Sequence, residues 1–216
     1  MGQKVNPIGF RLGITKNWNS RWFANPAGYS DKVLEDYRLR KYLQDKLSNA
    51  GLVKVDIERS LKAITVKLFV SRPGVVIGKG GANIEVVKKK VEELLNVSKN
   101  KKDKVRVEIK VSEVKQPDLS AKLVAERIVN QLIGRYPHRR AVNQALDRVM
   151  QAGAKGVKIQ FSGRIGGAEI GRQEKYGRGS VPTQTLRADI DYYQVPARTR
   201  SAYVGVKVWI FKGEVV

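Results

Sequence analysis

The residues best placed to do chemistry are Gly78-Lys79-Gly80-Gly81, a G-x-x-G run that follows the apolar Val75-Val76-Ile77 and precedes Ile84. Glycine has no Cβ, so such a loop lets the protein backbone come close to a sugar-phosphate chain. A helix starting just after it aims free amides and a positive dipole end at the same place, and Lys79 adds a charge for a phosphate. Other phosphate loops fail on spacing. In G-x-x-x-x-G-K-[ST] the glycines stand further apart than Gly74 and Gly78 do, and Gly80 follows the lysine where a hydroxyl residue belongs. A dinucleotide fingerprint needs a third glycine where Asn83 stands.

A second set of candidates is acidic. Asp189 and Asp191 lie two apart in a stretch of strand character, which puts both on one face, and Glu169 and Glu174 precede them. Paired carboxylates can hold magnesium for phosphoryl chemistry. No nucleophile or histidine stands beside them, whereas Arg164, Arg172 and Arg187 do. The expectation is ion pairing that organises a basic, loop-rich surface. The chain is therefore read as a non-enzyme that needs no metal or cofactor.

Charge names the kind of partner. Among 216 residues Lys and Arg number 42 and Asp and Glu 20, a net charge of +22. Such a surplus repels itself and favours a polyanion. A membrane surface is the weaker choice, because no apolar run approaches the length of a spanning helix, and Met1–Asn6 matches neither a myristoylation nor a secretion signal. That leaves nucleic acid. Arg164, Arg172, Arg178 and Arg187 are candidate RNA contacts of the C-terminal part. The single histidine, His138, sits beside Arg139 and Arg140 and reads as a surface or RNA-facing side chain. With no cysteine there is no disulfide framework and no Cys-ligated zinc, which fits a reducing cytoplasm.

These residues need elements to position them. Residues 1–29 form an extension in which basic residues alternate with isolated aromatics, either stacking on bases or tucking against the next domain. A helix is expected from Ser30 or Asp31 to Gly51, with Val33, Leu34, Tyr37, Leu43 and Leu47 inward. Two strands follow: Val53, Val55 and Ile57, then Ile64, Val66, Leu68 and Val70. The G-x-x-G loop and a helix bearing Ile84, Val87, Val91, Leu94 and Leu95 come next. After a Lys-rich loop over 98–103, Val105, Val107, Ile109 and Val111 mark a strand. Pro117 is the expected boundary, so that residues 30–116 make one domain and 117–216 another of α+β class. There Asp118 caps a helix carrying Leu119, Leu123, Val124, Ile128, Leu132 and Ile133, ended by Gly134 and Pro137. A helix from His138 buries Val142, Ala145, Leu146 and Val149 and lines up Arg140, Gln144 and Arg148 outward. Strands are expected at Val157–Phe161, near Thr185–Tyr193, and at Tyr203–Phe211.

The order helix, strand, strand, helix, G-x-x-G, helix, strand resembles a type II KH domain, whose loop clamps a single strand. Beyond it, the start Met1–Pro7 with Arg11–Ile14, the run Ser162–Ile170, Thr185–Tyr192 and the end Gly205–Glu214 resemble the bacterial small-subunit ribosomal protein three family along essentially the whole chain. The resemblance implies a structural constituent of the small-subunit head that binds ribosomal RNA and lines the channel by which mRNA enters. It implies small-subunit proteins ten and fourteen as neighbours, with protein two as a further candidate. It also implies that Arg139 and Arg140 contact mRNA. The third basic position of that motif is Asn143 here, and Arg148 is the candidate to replace it. Ala202 stands where the family often has glycine, which leaves the turn before the last strand open. A free-standing KH regulator or assembly factor is the alternative reading.

Overall fold

The computed structural model describes residues 4–95 and 106–215, and the chain forms two compact units. One spans Trp18–Lys115. The other joins the described residues up to Asn17 with those from Gln116 onward. The stretch expected as a single N-terminal extension is thus divided between them. No helix among the described residues is long and apolar enough to cross a membrane.

The short helix α1 (Pro7–Phe10) belongs to the second unit. The first contains β1 (Ser20–Arg21), α2 (Pro26–Lys46), β2 (Leu52–Arg59), β3 (Ala63–Val70), α3 (Pro73–Ile77), α4 (Ala82–Leu94) and β4 (Arg106–Glu113). Its sheet runs β1-β2-β3-β4, with β2 antiparallel and β4 parallel to β3. Parallel neighbours need a crossover. Here α3 and α4 supply it, which places the G-x-x-G loop between two helices. Period two makes β3 half-buried: Ile64, Val66, Leu68 and Val70 enter one core with Leu39, Leu43, Val87 and Val91.

Helix α2 departs from the expectation twice. It starts at Pro26, because proline is preset for a first helical turn. Its buried face is Asp36, Leu39 and Leu43, while Val33, Leu34 and Tyr37 are exposed. Asp36 can take an inward place because it is fully partnered. The guanidinium of Arg59 pairs with it, and Trp22 Nε1 and Ser20 Oγ donate to its Oδ2 at 2.9 and 3.1 Å. Val53 is only half-buried, since the register slips between Leu52 and Lys54 and Leu52 enters the core instead. Val105 and the loop 98–103 lie outside the described residues.

The second unit contains α5 (Ala121–Ile133), α6 (His138–Gln151), β5 (Gly156–Gly163), β6 (Arg172–Gly179), β7 (Ala188–Arg198) and β8 (Tyr203–Glu214). Its sheet is antiparallel throughout, in the order β6-β5-β8-β7. Val157, Ile159 and Phe161 of β5 and Val204, Val206, Val208 and Ile210 of β8 share a core with Val124 and Ile128 of α5 and Val142, Leu146 and Val149 of α6. Each such side chain stabilises the unit by about 1.5–3 kcal/mol. Strand β6 was not expected. It buries no residue, so no apolar period marks it, and it exists through its pairing with β5.

Helix α5 has its cap elsewhere than expected. Asp118 pairs with Arg127 at 2.7 Å, while the Ala121 amide donates to Asp191 Oδ2 at 2.9 Å. Its buried face holds Ala121, Val124, Ala125, Ile128 and Val129, and Ile133 is exposed. At the other end Gly134 keeps an ordinary φ of −72° and Arg135 takes the left-handed position at φ 59°. The β7–β8 turn needs no glycine: Thr199 bonds Ala202 in both directions, and Ala202 is not among the positive-φ residues.

Arg11 holds the N-terminal segment in this unit. It is fully buried and donates to the carbonyls of Pro7, Pro182, Thr183, Thr185 and Ala188 at 2.7–3.4 Å. Burial lowers its pKa, and Asp189 opposes that shift. This cation is therefore an internal clamp.

Candidate nucleic-acid interface

The G-x-x-G loop is built by its glycines' backbone angles. Gly78 has φ 72°, and Gly80 and Gly81 follow at 59° and 85°, conformations that glycine adopts freely. Lys79 is exposed at the tip. Gly81 is the N-cap of α4 and makes no side-chain cap, so the first-turn amides point toward the loop with the positive end of the helix dipole. Open space surrounds the position of a Cβ on Gly80. Cation, amides and open backbone thus meet where a phosphate chain can approach.

Beside the loop runs a groove of about 410 Å³ between α4 and the edge strand β4, lined by Ile84, Glu85, Lys88 and Arg106–Lys110. Ile84, Val107 and Ile109 give it an apolar lining, and Lys88, Arg106 and Lys110 stand there beside Glu85 and Glu108. Sequence reasoning missed this groove, because it exists only once β4 pairs with β3 and lies against α4.

Helix α6 presents a second cationic surface. Its first turn is His138-Arg139-Arg140, with Pro137 at the N-cap and no acidic residue. Cations at the positive end of a helix are unfavourable in isolation, and an anion removes the conflict. Arg139, Arg140, Asn143, Gln144 and Arg148 are all exposed. Among the described residues neither Arg140 nor Arg148 pairs with a carboxylate, so both remain open to an anionic chain.

Glu174 on β6 anchors this helix start. Its Oε2 accepts from Tyr176 at 2.6 Å and lies 3.1 Å from His138 Nε2, and its Oε1 accepts from Arg172 at 2.7 Å. The bonds from Tyr176 and Arg172 pull its pKa down to about 2. Burial and Glu174 raise that of Tyr176, while Arg139 opposes them.

The other arginines divide. Arg172, Arg178 and Arg187 pair with Glu174, Asp147 and Glu214. Arg164 donates to the Ala168 carbonyl at 2.8 Å and lines a cavity together with Arg135, Arg198 and Arg200. Those last three carried no signal in the sequence, because they come from a helix end and a hairpin turn.

A further basic group lies on the sheet face away from α5 and α6. Lys158, Lys175 and Lys207 share this face with Trp209 through the register of β5, β6 and β8. Lys158 Nζ stands 5.3 Å from the Trp209 ring centroid. Its pKa is lowered by burial first, and then by Lys4 and Lys175.

The carboxylates form no catalytic pair. Asp189 bonds Lys16 at 2.6 Å and Asp191 caps α5, and a register shift between Asp189 and Ile190 breaks the period that was to align them. Asp189 and Asp191 take Lys16 and a backbone amide in place of arginines, whereas Glu174 pairs with Arg172 as expected. No cluster of three His, Cys, Asp or Glu residues fit to hold a metal occurs among the described residues.

Residues 38–119 match the KH domain family, and residues 128–210 match the family described as Ribosomal protein S3, C-terminal domain. The chain is 47% identical over 216 residues to small ribosomal subunit protein uS3 of Shouchella clausii, covering all of this chain and 94% of the relative. It is 49% identical to that of Exiguobacterium sibiricum over 216 residues, and 50% identical to that of Thermodesulfovibrio yellowstonii over 215, covering 95% of each relative.

Proposed function

This chain belongs to the small ribosomal subunit protein uS3 family, and on that premise we propose that it binds ribosomal RNA in the small-subunit head and guides mRNA through the channel by which it enters. The role is structural and RNA-binding, not enzymatic. The G-x-x-G loop, with Gly78, Lys79, Gly80 and Gly81, and the groove beside it clamp single-stranded RNA. Arg139, Arg140 and Arg148 on α6 face the incoming message. Arg164 contacts ribosomal RNA, and Arg172, Arg178 and Arg187 do so from within their ion pairs. Small-subunit proteins ten and fourteen are its neighbours, with protein two as a further candidate. Phe23, Tyr29, Leu34 and Tyr37, each more than half exposed, give the Trp18–Lys115 unit an apolar surface for protein contact.

The observation that carries this reading is the first turn of α6, where cations stand at the positive end of a helix with no carboxylate in that turn. The test is binding of the full chain to small-subunit ribosomal RNA across a salt series. Contact with about six to ten phosphates lowers affinity roughly 10³–10⁵-fold between 50 and 200 mM salt. A flat response contradicts the proposal.

A further inference from the structure

Within the second unit, a cavity of about 640 Å³ opens between the α5–α6 connection, the segment after β5 and the β7–β8 turn. Arg135, Arg164, Arg198 and Arg200 all line it, and no aspartate or glutamate does. Its floor is apolar, with Phe161 buried beneath it. Glu174 reaches His138 on one wall but is already engaged by Arg172 and Tyr176.

One bond fixes the Arg164 guanidinium, and others hold the turn that carries Arg198 and Arg200. Arg164 is fixed through its Nε by the Ala168 carbonyl, which leaves its terminal nitrogens for another acceptor. Arg198 and Arg200 flank Thr199, whose hydroxyl and amide lock the turn onto Ala202. The fourth arginine presents a conflict. Arg135 occupies the left-handed position after α5, where glycine is the usual residue, and it is the one non-glycine residue at positive φ among those described. The adjacent Gly134 keeps an ordinary backbone. An arginine standing where glycine is conformationally easier points to use of its side chain.

We infer that this cavity receives a single unpaired nucleotide of ribosomal RNA, its base against the apolar floor and its flanking phosphates on the four arginines. Planar guanidinium groups bind phosphate oxygens in pairs and stack on bases. RNA-binding sites commonly take bases splayed out of a helix in this way. One acidic side chain would satisfy one arginine, whereas a nucleotide brings a phosphate on either side. The inference rests on the RNA-binding reading above and names the feature of RNA that this cavity selects.

The experiment compares binding of the full chain to an RNA duplex with one unpaired 4-thiouridine and to the same duplex fully paired, at one salt concentration. We expect the unpaired probe to bind about ten-fold tighter, the size of one charge-assisted hydrogen bond, and to crosslink to Tyr136 or to residues 198–204. Arg135→Gly should abolish that preference while leaving the unfolding midpoint equal or higher, and Arg198→Ala with Arg200→Ala should abolish it too. Lys79→Asp with Gly80→Asp should leave it and weaken binding of an unstructured oligonucleotide instead. Equal affinity for both duplexes, or a preference that survives the arginine variants, overturns the inference alone. So does displacement of the probe by a glutamate-rich peptide at lower concentration than by single-stranded RNA. Loss of every RNA interaction, the oligonucleotide included, overturns the broader reading with it.

Discussion

Asn83 folds back over Gly78: its Nδ2 donates to the Val75 carbonyl at 3.2 Å, and a Cβ on Gly78 would lie 2.8 Å from the Asn83 side chain. Gly78 also sits at φ 72°, ψ −177°, a region essentially restricted to glycine. Gly80 differs. Its φ of 59° and ψ of 18° are a left-handed conformation that Asn and Asp tolerate, and nothing lies within 4 Å of a Cβ there. One glycine closes the loop onto its helices, and the other keeps the outer surface clear.

Substitutions at the two positions therefore separate. Gly78→Ala should lower stability by about 1–3 kcal/mol, read from urea unfolding. Gly80→Asp should cost less than about 1 kcal/mol. Combined with Lys79→Asp, it should weaken binding of single-stranded RNA with the fold intact. Equal destabilisation by both glycine substitutions contradicts this division.

Arg139→Ala with Arg140→Ala removes two exposed cations from the start of α6. Translation of messages structured near the start site should fall several-fold more than that of unstructured messages, measured in a reconstituted system. Equal loss on both would assign the pair to subunit assembly.

Arg11→Met should destabilise the second unit by about 3 kcal/mol or more, since several carbonyls lose a charged donor. The measurement is the urea midpoint. A change below about 0.5 kcal/mol, the size typical of a surface substitution, contradicts the role of clamp.

Glu174 gives a pH signature. Its carboxyl is lowered from 4.5 to about 2. A lowered folded-state pKa means that the stabilisation is fully present above about pH 4.5 and is lost as pH falls toward 2. The stability gap between the native chain and Glu174→Gln should therefore be constant at neutral pH and narrow across that acid window. A gap that persists at pH 2 would show that the charge is not its source.

Much of the fold was legible because burial is periodic. Val157, Ile159 and Phe161 alternate so regularly that β5 could be placed from sequence, and the G-x-x-G loop stood out by residue type. Elements whose cause lies far away along the chain were not legible. Asp191 caps a helix 70 residues earlier, and no local pattern announces that. Arg11 looks like any surface cation until five distant and near carbonyls surround it. Tyr37 fits a helical apolar stripe, yet the stripe that is buried runs through Asp36, whose charge is matched by Arg59. Arg135, Arg198 and Arg200 come together only when two connections close on one cavity.

The cationic surplus of +22 is what binds this chain into the RNA of the small subunit. The most direct measurement is sedimentation of small subunits through a high-salt wash, followed by detection of the chain. It should remain with the particle in an amount equal to the other resident proteins. Its release into the wash, with the subunits otherwise intact, would contradict the account.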